Sequence, residues 1–303
     1  MSYPFLKGHG TENDFVLLPD HDGSVHGDLS AERVRALCDR RAGIGGDGVL
    51  RVIRSASLVE RSSVVERSSV VERSRDHVPS SVVERPSVVE RSRDHGAEWF
   101  MDYRNSDGSL AEMCGNGIRV FALHLYDEGL VPADEPVRIA TRDGVKLVSR
   151  DGDLFRVDLG VATILGETKV SVGDRSWPAL HVDVGNPHAV VMVDDLAEAG
   201  RLWDEPAYDE SVYPEGVNVE FVVRRGPEHV AMRVHERGSG ETRSCGTGAV
   251  AAAVAAAAPD AGDAPGRWRV DVPGGRLEVS RDGDGRVHLT GPALIVARGT
   301  TDL

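Results

Sequence analysis

At 303 residues with 40% apolar side chains, the chain exceeds the usual size of one domain and can fill two modest hydrophobic cores. A formal net charge of −14 excludes nucleic acid as the expected partner, because neutralising phosphates needs clustered Lys and Arg without surrounding acid. No basic leader precedes an apolar stretch, and the longest apolar run, residues 249–258, is too short to span a bilayer; a soluble cytoplasmic protein with a small-molecule partner and no membrane partner is expected.

In chain order, the first expected helix is AERVRALCDRR, with Ser30 as N-cap and Gly43 as its stop. Cys38 within it reads as a buried thiol. Gly43, Gly45 and Gly48 in GIGGDG match the spacing of a dinucleotide loop. That loop, however, follows a helix and leads into a strand, the reverse of the nucleotide fingerprint. VLRVIR (49–54) and EWFMDYR (98–104) then read as strands that a short connection would join. Between them, residues 57–95 stutter through SVVERS-like units. A period of six builds no apolar stripe on a helix and splits its valines between the two faces of a strand. Its seven Arg balance seven acidic residues, so the segment reads as a tandem expansion in a surface loop, with a partner-binding repeat as the alternative. Two further helices are expected at 115–128, ended by Gly129, and at 246–258, ended near Pro259.

Comparing the chain with itself yields one offset. Residues 137–153 align without gaps to 268–284, sharing VSRDGD, at an offset of 131; Cys114 and Cys245 are also 131 apart. Both cysteines open a C-G-x-G segment that runs into an apolar stretch. Further upstream Asn13 in TENDFVLL matches Asn186 in GNPHAVV at 173, so the first copy carries roughly 42 extra residues, which the stuttering insert accounts for. Two copies of one unit follow, at 1–160 and 161–291, with 292–303 as a tail grouped with the first and 55–97 as the insert. The fold class is α+β: two pseudo-symmetric domains, each a mixed sheet around a central helix, with the active site in the cleft between them.

A cysteine at a helix start meets unpaired N–H groups and the positive end of the helix dipole, which favour the thiolate; its pKa is expected below the usual ~8.5. The glycines that follow let the backbone approach a ligand, and the same N–H groups can hold a carboxylate. Two such ends facing each other would place a thiol on either side of an amino acid's α-carbon, one removing the α-proton and the other returning one to the opposite face. Three cysteines so far apart in sequence make neither a disulfide scaffold nor a zinc site with paired ligands. Lys occurs only at Lys7, Lys146 and Lys169, none in an evident cofactor loop, which disfavours Schiff-base chemistry. A thiol redox protein is the rival from another class, although such proteins usually place their cysteines close together in sequence.

The runs KGHGTENDFVLLPD, YRNSDGSLAEMCGNGIRVFA, GNPHAVV, EGVNVEF and ERGSGETRSCGTGAVAAA resemble the ordered motif set of the diaminopimelate epimerases, over the whole chain except 55–97. The resemblance implies interconversion of LL- and meso-diaminopimelate on the path to lysine and peptidoglycan, with no metal or pyridoxal phosphate, by a homodimer. It implies Cys114 and Cys245 as the acid/base pair. Asn13, Asn105, Asn186, Asn218, Glu236 and Arg237 would bind substrate, and the backbones of Gly115, Asn116, Gly246 and Thr247 would cradle the reacting carboxylate. His188 and Glu236 would tune the thiols. A proline racemase or a phenazine-type isomerase is the nearest alternative. One departure stands out: many relatives carry Gln where this chain has Gly48, so that contact is absent or supplied differently.

Overall fold

The computed structural model describes residues 2–58, 96–258 and 266–303. The expected loop of the repeat insert falls mostly at 59–95, outside them, as does the expected helix stop at Pro259. The first copy contains β1 (Tyr3–Gly10), β2 (Asn13–Pro19), α1 (Ala31–Cys38), β3 (Gly48–Arg54), β4 (Trp99–Asn105), α2 (Gly115–Asp127), β5 (Val137–Thr141), β6 (Gly144–Asp151) and β7 (Leu154–Val161). The second contains β8 (Thr163–Val172), β9 (Arg175–Asp183), β10 (Pro187–Met192), β11 (Ala207–Tyr208), β12 (Asn218–Gly226), β13 (His229–Glu236), β14 (Gly240–Thr242), α3 (Gly246–Ala257), β15 (Gly266–Val272), β16 (Gly275–Arg281) and β17 (Arg286–Pro292). A last strand, β18 (Leu294–Thr301), follows.

Strand pairing shows the duplication directly. From β18 through β1, β2, β3, β4, β5 and β6 to β7, successive neighbours pair antiparallel, antiparallel, parallel, antiparallel, parallel, antiparallel, antiparallel. From β8 through β9, β10, β12, β13, β15 and β16 to β17 the same sequence of senses recurs. The architecture is therefore two mixed sheets of one topology, each wrapped on its own helix, and β7 pairs antiparallel with β17 along the seam. β18 fills beside β1 the place that β8 fills beside β9.

Each of the four parallel junctions needs a crossover; α1 lies in the one between β2 and β3, and α2 and α3 supply those after β4 and after β13. Both helices are enclosed by their sheets. In α2 every residue from Gly115 to Tyr126 is buried, and α3, GTGAVAAAVAAA, is buried from Gly246 to Ala256. A helix apolar on all sides can only sit inside a core, and its small side chains let strands approach it from every side. Glu128 caps α2, and Gly129 beyond it takes φ +65, a left-handed conformation that favours glycine. α1 starts at its Ser30 cap as expected but ends at Cys38, short of Gly43, because Asp39 leaves helical geometry. Cys38 is buried there.

Candidate active site

Cys114 and Cys245 are themselves the N-caps of α2 and α3. Each sulfur accepts a hydrogen bond at 3.3 Å from the amide three residues on, Gly117 or Gly248. The two helix starts touch. A Cβ built on Gly115 would lie 3.2 Å from the Cα of Gly246, and one on Gly246 would lie 2.9 Å from the Cα of Gly115, so only glycine permits this approach. Both thiols therefore open onto one cleft of about 330 Å³.

Of the residues expected at the site, Asn105, Cys114, Gly115, Asn186, Asn218, Glu236, Arg237, Cys245, Gly246 and Thr247 line this cleft. Repeat symmetry explains their placement: Asn105 ends β4 opposite Gly48, as Glu236 ends β13 beside Asn218 at the start of β12. Asn13, Asn116 and His188 are not on its wall. Asn13 lies behind Cys114, whose thiol donates to its Oδ1 at 3.7 Å. Asn116 is fully buried and ties α2 to the other half, its Nδ2 donating to the Ser244 carbonyl at 2.9 Å and to Asn13 Oδ1 at 3.1 Å. His188 is fully buried between Glu220 and Asn186.

The ionisation of the thiols departs from the sequence expectation. Burial, and next the Glu236 carboxylate, push Cys114 up to about 12 against the opposing amides of Gly117 and Asn116. Burial, then Glu236 and Glu220, push Cys245 up as well. The helix-end N–H groups do reach the sulfurs, but desolvation by the surrounding side chains outweighs them. Glu236 is itself pushed up to about 7 by burial, although the Thr242 hydroxyl donates to it. At the cleft mouth Arg237 faces Glu112 at 3.6 Å, its backbone N–H donating to Asn218 Oδ1.

Several contributors lie within the quoted runs, yet the sequence assigns them no role at the site. Tyr103 lines the cleft, and its ring stands where a side chain at position 48 would begin: a Cβ on Gly48 would lie 2.6 Å from Tyr103 Cε2 and 2.5 Å from the Arg104 carbonyl. The absent Gln is thus matched by a ring that leaves it no room. Asp47 takes the Asn13 amide at 2.8 Å and Arg40 at 2.7 Å. Thr11 and Ser244 share a 2.7 Å hydrogen bond across the two halves. Among the described residues, no group of three or more His, Cys, Asp or Glu is placed to hold a metal ion, and no helix is long and apolar enough to cross a membrane.

Comparison with known proteins gives a consistent picture. The diaminopimelate epimerase family model matches residues 82–165 and 180–296. The chain is 51% identical to the diaminopimelate epimerase of Streptomyces coelicolor, covering 98% of this chain and 95% of that one. It is 45% identical to that of Corynebacterium glutamicum, covering 100% and 99%. Among solved structures it is similar to a PhzF-family phenazine biosynthesis protein of Bacillus anthracis, with a TM-score of 0.63, 15% identity and full coverage of both chains. It is also similar to a hydroxyproline epimerase of Agrobacterium vitis, with a TM-score of 0.61, 14% identity and coverage of 99% and 91%. At such low identity these two speak for the fold alone.

Proposed function

The chain belongs to the diaminopimelate epimerase family, isomerases that interconvert the LL and meso forms of diaminopimelate, and we propose that Cys114 and Cys245 are the acid and base through which it does so. The observation that carries this reading is the contact of the two helix starts at Gly115 and Gly246, which puts both sulfurs on one cleft. A reacting carboxylate fits at the paired helix ends, where the first amides of α2 and α3, those of Gly115, Asn116, Gly246 and Thr247, have no partner within their own helix. The α-carbon then sits between the sulfurs. One thiolate takes the α-proton, the carboxylate and helix ends stabilise the carbanion, and the opposite thiol protonates the other face.

Arg237 suits the distal carboxylate as a bidentate clamp, and substrate would displace Glu112 from it. Asn105, Asn186 and Asn218 supply neutral hydrogen bonds, and Glu236 can take the distal ammonium or receive a thiol proton. Asn13 and His188 act from behind the sulfurs. The working enzyme in this reading needs no pyridoxal phosphate or metal and operates in the cytoplasm as a homodimer. It binds neither nucleic acid nor membrane.

The test is label asymmetry. In heavy water, starting from either isomer, early product carries deuterium at the inverted centre while recovered substrate carries little, because each sulfur keeps or supplies its own proton. Cys114→Ala and Cys245→Ala each lose inversion in both directions, by about a thousandfold or more. Substrate-derived hydrogen retained in early product, or full turnover in either variant, would sink the two-thiol assignment.

A further inference from the structure

The two cysteines are related by the repeat, yet the groups behind them are not. In the second copy, β10 and β12 place His188 and Glu220 beneath α3, both fully buried. Glu220 Oε1 lies 2.7 Å from His188 Nδ1, and His188 Nε2 lies 3.0 Å from Asn186 Oδ1. Asn186 Nδ2 then donates to Thr247 Oγ1 at 3.3 Å, and that hydroxyl lies 3.5 Å from Cys245 Sγ. At the equivalent places of the first copy, on β2 and β3, stand Phe15 and Leu50, both fully buried and apolar. The equivalence is also spatial. A Cβ on Gly248 would meet Glu220 Oε1 at 2.6 Å, and one on Gly117 would meet Leu50 Cδ2 at 3.2 Å and Phe15 Cζ at 3.5 Å.

Resting on the two-thiol reading, we propose that Glu220 is a positioning residue: through His188 it holds the Asn186 amide with its nitrogen towards Thr247, so that the Thr247 hydroxyl donates to the Cys245 sulfur. Glu220 Oε1 holds the ring at Nδ1 and thereby aims Nε2 at Asn186. With the amide nitrogen spent on Thr247, Asn186 presents its oxygen, which can only accept, so Nε2 donates to Oδ1 and fixes the amide orientation. Every donor in the relay points at Cys245.

The first copy is wired the other way. Asp47 takes the Nδ2 hydrogens of Asn13, turning its Oδ1 towards Cys114, which donates to it. Repeat-related asparagines thus present opposite ends to repeat-related thiols: an acceptor to Cys114, a donor chain to Cys245. Besides Glu220 on β12 and His188 on β10, the ionisable groups around Cys245 include Glu236 on β13, Tyr103 on β4, and Cys114 and Arg237 across the cleft, and these are unchanged by the variants below.

The experiment follows alkylation of each cysteine by iodoacetamide against pH in the folded full-length protein, resolved by peptide mass spectrometry. Well below the midpoint the alkylation rate falls tenfold for each unit by which the midpoint rises, so ratios between variants at one pH from about 7 to 9, with the other cysteine as internal reference, report the shift. Glu220→Gln removes a carboxylate that pushes Cys245 up but can donate its amide to Nδ1, leaving Nε2–H in place; the Cys245 midpoint should hold or fall. The double variant His188→Phe with Glu220→Leu installs the first copy's own apolar pair. It should leave the Cys245 midpoint about one pH unit above that of the Glu220→Gln variant and leave that of Cys114 in place. Thr247→Val keeps the carboxylate, removes only the last donor and should raise the midpoint by about one unit above the native protein, which keeps the test open if the double variant does not fold. Equal downward shifts in E220Q and the double variant would mean that Glu220 acts only as a charge through space. That result, or an unmoved Cys245 midpoint in both relay-breaking variants, overturns the proposal. Failure of the two-thiol reading would show separately, as turnover in C245A.

Discussion

Glu236 sits at the end of β13, where a carboxyl raised from 4.5 to about 7 faces both sulfurs. Because its folded value lies above the unfolded one, it favours the native state below about pH 4.5, and that contribution is lost as pH rises through about 7. Glu236→Gln should flatten this part of the pH–stability curve, by on the order of 1–2 kcal/mol between pH 5 and 8 in urea unfolding. If the proposed roles hold, it should also lower kcat by about a hundredfold or more, since an ammonium partner and a proton acceptor beside Cys245 would be lost together. A kcat unaffected by the change would remove Glu236 from the chemistry. Glu236 could be named from the sequence because it lies in a motif next to Arg237. Glu220 and Asp47 lie in quoted runs too, EGVNVEF and GIGGDG, but nothing in those runs assigns them a role, and only the fold brings Glu220 onto His188 and Asp47 onto Asn13.

Among elements, the paired helix starts decide most. Replacing glycine by alanine inside a helix ordinarily stabilises it by about 1 kcal/mol. Gly246→Ala should do the opposite, because its methyl group meets the backbone of Gly115 and must drive α2 and α3 apart. The expected result is a loss of about 1–2 kcal/mol in chemical unfolding and of about a hundredfold in kcat/KM, since the thiols then no longer flank one carbon. The existence of both helices was legible in the sequence: C-G-x-G before an apolar run marks a helix start, and Gly129 marks the end of one. That the two starts touch was not, because closeness between elements 131 residues apart depends on sheet topology, to which local pattern is blind. The contact of thiols with desolvating neighbours was hidden for the same reason, which is why the expected lowering of their pKa reverses.

For the molecule as a whole, the offset of 131 foretold two copies, and the pairing senses repeat accordingly. Arg54 and Trp99, which close β3 and open β4, are register partners, so a turn of two to four residues can join them. Deleting 57–95 and joining the strands by a short turn should leave soluble protein, a Tm within about 4 °C and activity within about twofold, since loop closure varies by only about 0.6 kcal/mol per doubling of length. Aggregation of the deleted form would assign the segment a structural role.

The last strand gives this architecture a direction in time. β18 pairs with β1 from Tyr3↔Thr301 to His9↔Leu294, and β7 leans on β17, so the first copy draws both of its outer neighbours from the final stretch of the chain. During synthesis its sheet waits with two open edges until the ribosome has delivered almost everything else, whereas the second copy meets its own β8 early. Open edges invite pairing with the wrong chain. Nascent chains stalled before residue 286 should therefore be sensitive to protease throughout the first copy, and a circular permutant that carries β18 ahead of β1 should shorten that exposed interval.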